Sequence, residues 1–205
     1  MFFLNYVKSF LANFRNVRLL YYKYNKKFSS FRVFNFLKDT SIFVDLGANV
    51  GLVSSYVNDV SNSCSIYCYE PHPAAFKVLK EKFMNLENVR IYNSAVSDKS
   101  SKGKLFLHSK SDLGINNAYS QSSSLYSEKE NVESSKFVEI STVSIKSVLD
   151  QFDYIDCVKV DIEGSEYKII PFLIENRSKI GKVVCELHGG EDSNGSILHP
   201  HFSEQ

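Results

Sequence analysis

The fold class of this 205-residue chain is decided by the stretch Val44-Asp45-Leu46-Gly47-Ala48-Asn49-Val50-Gly51. An apolar, β-branched run ends there in an aspartate and a glycine-containing turn, the pattern of a buried strand followed by a ligand-binding loop. A second stretch has the same form: Val158-Lys159-Val160-Asp161-Ile162-Glu163-Gly164-Ser165-Glu166. Open α/β sheets bind ligands at the carboxyl ends of their strands. The two stretches therefore predict a nucleotide-type cofactor with reacting groups beside it.

Strand and helix patterns alternate on both sides of these stretches. The predicted strands cover residues 41–46, 65–70, 89–92, 155–160 and 182–187, and the predicted helices cover residues 49–59, 74–85, 145–151 and 165–176. Alternation at this pitch indicates βαβ units. Apolar and polar residues alternate in 103–108 and again in 136–143, which predicts an antiparallel strand pair with a long serine-rich loop between its members. We therefore predict an α/β fold with a doubly wound, mostly parallel sheet.

Composition and charge favour an ordinary globular domain. The chain has 43% hydrophobic residues, 23% charged residues and a net charge of +1, which points to no polyanionic partner, so we expect no nucleic-acid binding. The four cysteines lack the Cys-x-x-Cys spacing of zinc and redox sites. We expect them to be reduced core residues of a cytoplasmic protein.

The first 40 residues form a basic, aromatic segment. They carry eight Lys and Arg side chains and one acidic residue, Asp39. The aromatic residues at its start follow helical spacing and predict one apolar helical face: Phe2, Phe3, Tyr6, Phe10 and Phe14. Such a helix either packs on the domain, with its basic side chains extended to water, or lies on an anionic membrane surface as a peripheral contact. No stretch approaches the ~18 apolar residues that a spanning segment requires.

The loop after the first strand has a rival interpretation. Dinucleotide-binding oxidoreductases usually show Gly-x-Gly-x-x-Gly at this place, whereas this chain has Gly47-x-Asn49-x-Gly51 and, after its first predicted strand, no Tyr-x-x-x-Lys sequence. An NAD-linked oxidoreductase is therefore the less favoured alternative. Glu70 stands 19 residues beyond Gly51 at the end of the second predicted strand. An acidic group at this distance commonly accepts hydrogen bonds from ribose hydroxyls.

Five motifs occur in one order between residues 40 and 190: Phe43-Val44-Asp45-Leu46-Gly47-Ala48-Asn49-Val50-Gly51, Tyr69-Glu70-Pro71-His72-Pro73, Asn93-Ser94-Ala95-Val96-Ser97-Asp98, Lys159-Val160-Asp161-Ile162-Glu163-Gly164-Ser165-Glu166 and Glu186-Leu187-His188. Together with the serine cluster Ser122-Ser123-Ser124-Leu125, they resemble the FkbM family of S-adenosylmethionine-dependent methyltransferases. One departure is His72, which stands where the family more often has asparagine.

The resemblance implies a class I methyltransferase fold, which is Rossmann-like and binds S-adenosylmethionine. Residues 1–39 would then form a helical extension, residues 40–190 the methyltransferase domain and residues 191–205 a short tail. A complete sheet of this class has two more strands after His188, where only 17 residues remain. The chain is therefore either truncated or closes its sheet in another way.

The resemblance also implies a set of cofactor-binding residues. Those expected around the methionine part are Asp45, Gly47, Asn49 and Gly51. Glu70 would hold the ribose. Those expected near the adenine are Ala95, Val96 and Ser97.

The candidate catalytic residues follow strands that are adjacent in the expected sheet: Asp161, Glu163, Glu186 and His188. A hydroxyl acceptor has to lose its proton, and we expect Asp161, with His188 as second choice, to take it. Glu163 and Glu166 can instead be an acidic pair favoured by a helix start, and His188 can be an ordinary surface histidine. Oxygen ligands also suit Mg²⁺, although we predict no resident metal.

The predicted function is therefore an O-methyltransferase that acts on a hydroxyl of a glycan or other sugar-containing acceptor, or on a small molecule. Its predicted cofactor is S-adenosylmethionine. The alternative from another class is a truncated, non-catalytic protein that still binds the cofactor.

Overall fold

The computed structural model describes residues 19, 22–25, 29–110, 123–125 and 132–187. These residues contain eight strands: β1 (Ile42–Leu46), β2 (Ser65–Tyr69), β3 (Val89–Tyr92), β4 (Ala95–Ser97), β5 (Ser101–His108), β6 (Val132–Ser144), β7 (Cys157–Val160) and β8 (Val183–Cys185). They also contain four α-helices: α1 (Leu52–Val60), α2 (Pro73–Phe83), α3 (Ile145–Leu149) and α4 (Glu166–Glu175). Two short 3-10 helices cover Ser30–Phe34 and Arg177–Lys179.

The main sheet has five parallel strands in the order β3-β2-β1-β7-β8. The chain builds outward from β1 through β2 to β3, and later adds β7 and β8 on the other side of β1. The strand order therefore reverses between β1 and β7, which is where open α/β sheets bind their ligands. The predicted parallel, Rossmann-like sheet is confirmed.

Helices cover both faces of this sheet. On one face, Phe43 of β1 packs in a cluster with Val57 of α1 and Leu79 of α2. On the other face, Val44 and Leu46 pack with residues of α3 and α4. Successive side chains of a strand point to opposite faces, so burial on both sides explains why β1 reads as a continuous apolar run. The predicted doubly wound arrangement is confirmed.

A second sheet has three strands in the order β4-β6-β5. β5 is antiparallel to β6 and β4 is parallel to it, so the predicted antiparallel pair is confirmed with longer strands. Ala95, Leu105 and Ile140 form its small core. Residues 95–97 were not predicted as a strand, because three residues are too few for a periodic pattern.

Helix α1 begins three residues later than predicted. Asn49 and Gly51 have φ angles of 50° and 75°, which lie in the left-handed region and cannot belong to a right-handed helix. The prediction of a helix from residue 49 was wrong for this reason. Residues 47–51 are instead a turn that carries the chain from β1 into α1.

Several predictions fall outside the described residues. The apolar helical face at residues 2–14, His188 and the tail at residues 191–205 are among them, and so is the question of two further strands after β8. The four cysteines are all described and free: Cys64, Cys68 and Cys157 are buried, as predicted for core residues, whereas Cys185 is only partly buried. No helix in the described part of the chain is long and apolar enough to cross a membrane.

Candidate functional site

A cavity of about 540 Å³ lies at the carboxyl ends of the main-sheet strands, within the range of small-molecule sites. Eight of the sequence-predicted residues line it: Gly47, Asn49, Glu70, Ala95, Val96, Asp161, Glu163 and Glu186. The structure therefore brings five of the eight predicted cofactor residues and three of the four predicted catalytic residues to one cavity.

Three predicted cofactor residues do not line this cavity. Asp45 is fully buried beneath the turn at residues 47–51. Gly51 packs against α2. Ser97 is buried, and its hydroxyl donates to Asp98 Oδ1 at 3.0 Å.

Gly47 is the point where the loops after β1 and β7 touch. Its φ is +79°, and a Cβ atom at this position would lie only 1.8 Å from the carbonyl oxygen of Asp161. Only glycine satisfies both constraints. The Asp161 N–H in turn donates to the Leu46 carbonyl at 3.1 Å. The two sequence motifs are therefore in direct backbone contact.

Position 51 requires glycine for a different reason, which is close packing. A Cβ atom there would lie 2.7 Å from both Leu79 Cδ1 and Phe83 Cε2. The absence of a side chain lets α1 approach α2 closely. Gly51 therefore shapes the turn at residues 47–51 from outside the cavity.

Glu70 supports this turn through its carboxylate. Oε2 accepts the Asn49 N–H at 2.8 Å, and Oε1 accepts the His72 N–H at 2.7 Å. The residue is only 6% exposed, and burial raises the pKa of its carboxyl to about 7 in spite of these hydrogen bonds. A carboxylate offers about four acceptor positions. Glu70 can therefore hold the turn and still accept further hydrogen bonds from a ligand.

His72 caps helix α2. Its Nδ1 accepts the Ala75 N–H at 3.4 Å, and burial lowers the pKa of the imidazole, which favours the neutral form that has an acceptor nitrogen. The side-chain oxygen of asparagine makes the same kind of cap. The presence of His72 in place of the family's asparagine therefore preserves the local structure.

Lys159 is a site residue that the sequence analysis missed. Its Nζ donates to the Gly47 carbonyl oxygen at 2.8 Å and lies 3.2 Å from Asp45 Oδ1 and 3.3 Å from Asp161 Oδ2. Burial disfavours its charged form, but the two carboxylates and their hydrogen bonds outweigh burial and raise its pKa. A lysine within the apolar run of a buried strand was the signal that could have identified it.

Asp45 acts on the cavity through this lysine. Its Oδ2 accepts a hydrogen bond of 2.6 Å from the Ser54 hydroxyl, and its Oδ1 forms the ion pair with Lys159. The carboxylate is fully buried, so its charge requires the Lys159 cation beside it. Asp45 therefore anchors the lysine that holds Gly47.

The acidic residues after β7 have different environments. The Asp161 side chain is 29% exposed, and both Asp161 and Glu163 line the cavity. Glu166 is fully buried, and its carboxylate accepts the N–H groups of Ile162 and Gly164, both at 2.9 Å. Glu166 therefore holds the loop at residues 162–164.

The structure gives no support to the magnesium alternative. Within the described ranges, no group of three or more His, Cys, Asp or Glu side chains is arranged to hold a metal ion.

Comparison with known families assigns the chain to one of them. The family described as the methyltransferase FkbM domain matches residues 45–203, which is more than half of the chain. The chain belongs to the FkbM methyltransferase family. The predicted family and the predicted class of enzyme, a methyltransferase, are thereby confirmed, and the NAD-linked oxidoreductase is excluded as its class.

This FkbM domain is similar to one curated enzyme and to solved methyltransferase structures. It is 23% identical over 168 residues to the 2-O-methyltransferase NoeI of Sinorhizobium fredii (strain NBRC 101917 / NGR234). The aligned region covers 78% of this chain and 68% of NoeI. The FkbM methyltransferase structure from Methylobacillus flagellatus KT matches with 15% identity and a TM-score of 0.45, over 69% of this chain and 31% of that one. The precorrin-6y C5,15-methyltransferase of Geobacter metallireducens GS-15 matches with 11% identity and a TM-score of 0.44, over 83% of this chain and 65% of that one. The FkbM domain thus spans about a third of the length of the first structure.

Proposed function

We propose that this FkbM domain uses S-adenosylmethionine to methylate a hydroxyl group of a glycan or other sugar-containing acceptor. The contact between Gly47 and Asp161 carries the proposal, because it makes the cofactor loop and the candidate base parts of one cavity. The similarity to a 2-O-methyltransferase supports transfer to oxygen. The sugar-containing acceptor follows from the family resemblance.

The residues of the cavity fit S-adenosylmethionine. Glu70 lies at the end of β2 with acceptor positions left for ribose hydroxyls. Ala95 and Val96 provide a small, apolar part of the cavity wall for an adenine ring. The turn at residues 47–51 lies at the switch point between β1 and β7, where its backbone can approach the methionine part closely.

When it is bound, S-adenosylmethionine supplies an electrophilic methyl group. The protein has to hold the acceptor hydroxyl in line with that group, and such positioning contributes roughly 7–11 kcal/mol in well-oriented reactions. In this proposal the Asp161 carboxylate accepts the hydroxyl proton. The Lys159 ammonium group, 3.3 Å from Asp161 Oδ2, fixes the position of this carboxylate. Glu163 and Glu186 line the same cavity, and Glu186 orients the acceptor.

Parallel calorimetric titrations test the cofactor assignment. The purified chain is titrated with S-adenosylhomocysteine, NAD and NADP. We expect saturable binding of S-adenosylhomocysteine alone. Binding of NAD or NADP instead would contradict the proposal.

A transfer assay separates an active enzyme from a non-catalytic cofactor-binding protein. The chain is incubated with S-adenosylmethionine labelled in its methyl group and a panel of methyl glycosides and oligosaccharides. We expect label in at least one acceptor, released only by conditions that cleave methyl ethers. Cofactor binding without transfer to any acceptor would favour the non-catalytic alternative.

A further inference from the structure

Ser124 links the second sheet to the loop after β7. Its N–H donates to the Phe106 carbonyl at 2.9 Å, and its own carbonyl accepts the Phe106 N–H at 2.8 Å. Its hydroxyl donates to the Glu163 carbonyl at 2.7 Å. The residue is 1% exposed. One buried serine is therefore hydrogen-bonded to β5 through its backbone and to the loop at residues 162–164 through its side chain.

Glu163 has a backbone conformation that needs such support. Its φ is +56°, and that of Gly164 is +113°. A residue with a side chain rarely adopts a left-handed conformation, and it persists only where its surroundings impose it. Here Ser124 holds the Glu163 carbonyl, while the Glu166 carboxylate holds the N–H groups on both sides, those of Ile162 and Gly164.

The charges around the cavity indicate what this support is for. Asp161, Glu163 and Glu186 all line the cavity, and the neighbouring cation Lys159 is shared between Asp45 and Asp161. A cavity wall with this excess of carboxylates favours positive charge in a bound ligand. S-adenosylmethionine carries its positive charge at the sulfur that bears the transferred methyl group.

We propose that Ser124 is a positioning residue: its hydroxyl holds the Glu163 backbone so that the Glu163 carboxylate faces the positively charged, methyl-bearing centre of the bound cofactor. The inference rests on the proposed function, because it requires this cofactor in this cavity. Glu163 then stabilises the charge of the cofactor, and Ser124 acts only through Glu163.

Two ligands that differ in charge at that centre test the proposal. S-adenosylhomocysteine is neutral there, whereas sinefungin carries an ammonium group at the corresponding position. The measured quantity is the ratio of their dissociation constants, obtained by calorimetry for each variant. A general loss of folded structure weakens the binding of both ligands alike and leaves this ratio unchanged.

Glu163→Gln removes the charge and keeps the size of the side chain. We expect it to reduce the preference for sinefungin by about tenfold, as for a partly screened charge pair. Ser124→Ala should reduce the preference in the same direction by about threefold, because Glu163 is displaced but keeps its charge. The affinity for S-adenosylhomocysteine should stay within about twofold in both variants.

Ser101→Ala is the matched control. It removes a serine hydroxyl from β5, where Ser101 Oγ lies 2.9 Å from Thr142 Oγ1 and away from the cavity. We expect its ligand ratio to equal that of the unchanged protein. If Ser124→Ala does not fold, Ser124→Cys takes its place, because it keeps the size of the side chain and replaces the hydroxyl with a weak donor.

The outcomes separate three conclusions. An unchanged ratio in Glu163→Gln overturns the placement of Glu163. If Glu163→Gln reduces the ratio but Ser124→Ala leaves it unchanged, the positioning role of Ser124 is overturned. The same conclusion follows if Ser124→Ala weakens the binding of both ligands equally. Failure of the unchanged protein to bind either ligand overturns the proposed function itself.

Discussion

The ammonium group of Lys159 donates a hydrogen bond to the carbonyl oxygen of Gly47 across 2.8 Å. The two residues are 112 positions apart in the sequence, but they belong to adjacent strands and their following loops. The same ammonium group lies within 3.3 Å of the carboxylates of Asp45 and Asp161. A buried cation therefore sets the relative position of the cofactor loop and the candidate base.

Lys159→Met should destabilise the fold strongly. The substitution leaves the fully buried Asp45 carboxylate without its cation, and breaking a buried pair in this way costs about 3–5 kcal/mol. Urea unfolding measures the change in the free energy of unfolding. Lys146→Met is the control, because Lys146 pairs with Asp150 at 2.6 Å on the surface, where a pair contributes about 1 kcal/mol or less. Equal losses in the two variants would contradict the role of Lys159.

Gly47→Ala should disrupt the site, whereas Gly103→Ala should not. At Gly47 a methyl group would overlap the Asp161 carbonyl, so the loops after β1 and β7 must separate. We expect a loss of about 2 kcal/mol or more in stability and a clear loss of affinity for S-adenosylhomocysteine. At Gly103 the nearest atom is Thr142 Cγ2 at 3.8 Å, an ordinary contact. Unfolding curves and calorimetry compare the two variants, and retained binding in Gly47→Ala would refute the assignment of this loop.

Binding of S-adenosylhomocysteine should strengthen as the pH rises through the pKa of Glu70. Burial raises this pKa from 4.5 to about 7, so the carboxyl is largely protonated below that pH and ionised above it. Only the ionised form accepts the two N–H groups and the ribose hydroxyls together. The dissociation constant should therefore fall between about pH 6 and about pH 8, by at most about tenfold per pH unit below the pKa. Glu70→Gln should bind more weakly and without this pH dependence, and a pH-dependent Glu70→Gln variant would show that another group is responsible.

Asp161→Asn should affect chemistry much more than cofactor binding. The change keeps the shape of the side chain and removes its charge, so turnover should fall by about 100-fold to 10,000-fold if Asp161 takes the proton. Single-turnover transfer of labelled methyl groups to an acceptor found in the glycoside panel measures this step. Asp153→Asn, an exposed aspartate outside the cavity, is the control. Normal transfer by Asp161→Asn would refute its role as the base.

The basic segment at residues 1–40 either packs on the domain or makes a peripheral membrane contact, and vesicle binding distinguishes the two. Each Lys or Arg near an anionic surface contributes about 1 kcal/mol, and salt screens this attraction. A membrane contact predicts that the chain sediments with vesicles that contain phosphatidylserine and loses this binding steeply as the salt concentration rises. Equal binding to phosphatidylcholine vesicles, or binding to neither kind, would leave only a packing role for the segment.

The parallel sheet could be predicted from the sequence because the patterns that indicate its strands are local. A strand such as β1 is buried on both faces, so its residues 42–46 form a short apolar run around Asp45, and a glycine turn follows at once. The same holds for β7 and the motif that begins at Lys159. Glu70 could also be assigned to the end of β2, because its distance from Gly51 is a property of the chain itself.

The partners of the site residues could not be predicted in this way. Lys159 reads as an isolated polar residue in a strand until the pairing of β1 with β7 brings it to Gly47. Ser124 lies in a serine-rich stretch with no periodic pattern, and only the packing of the second sheet places it against Glu163.

By itself, the sequence determined the fold class, the order of the main-sheet strands and of the helices, the family and the two motifs that meet at the cavity. The fold class and the order of these elements depend on apolar periodicity and turn residues within about 10–20 neighbouring positions, whereas the family was identified from the resemblance of the motifs. The tertiary structure alone decided that Asp45 and Gly51 support the cavity from outside, that Lys159 joins its two halves, and that Ser124 holds Glu163. Strand pairing and close packing bring together groups that are 39 to 112 residues apart, and no local pattern encodes those distances.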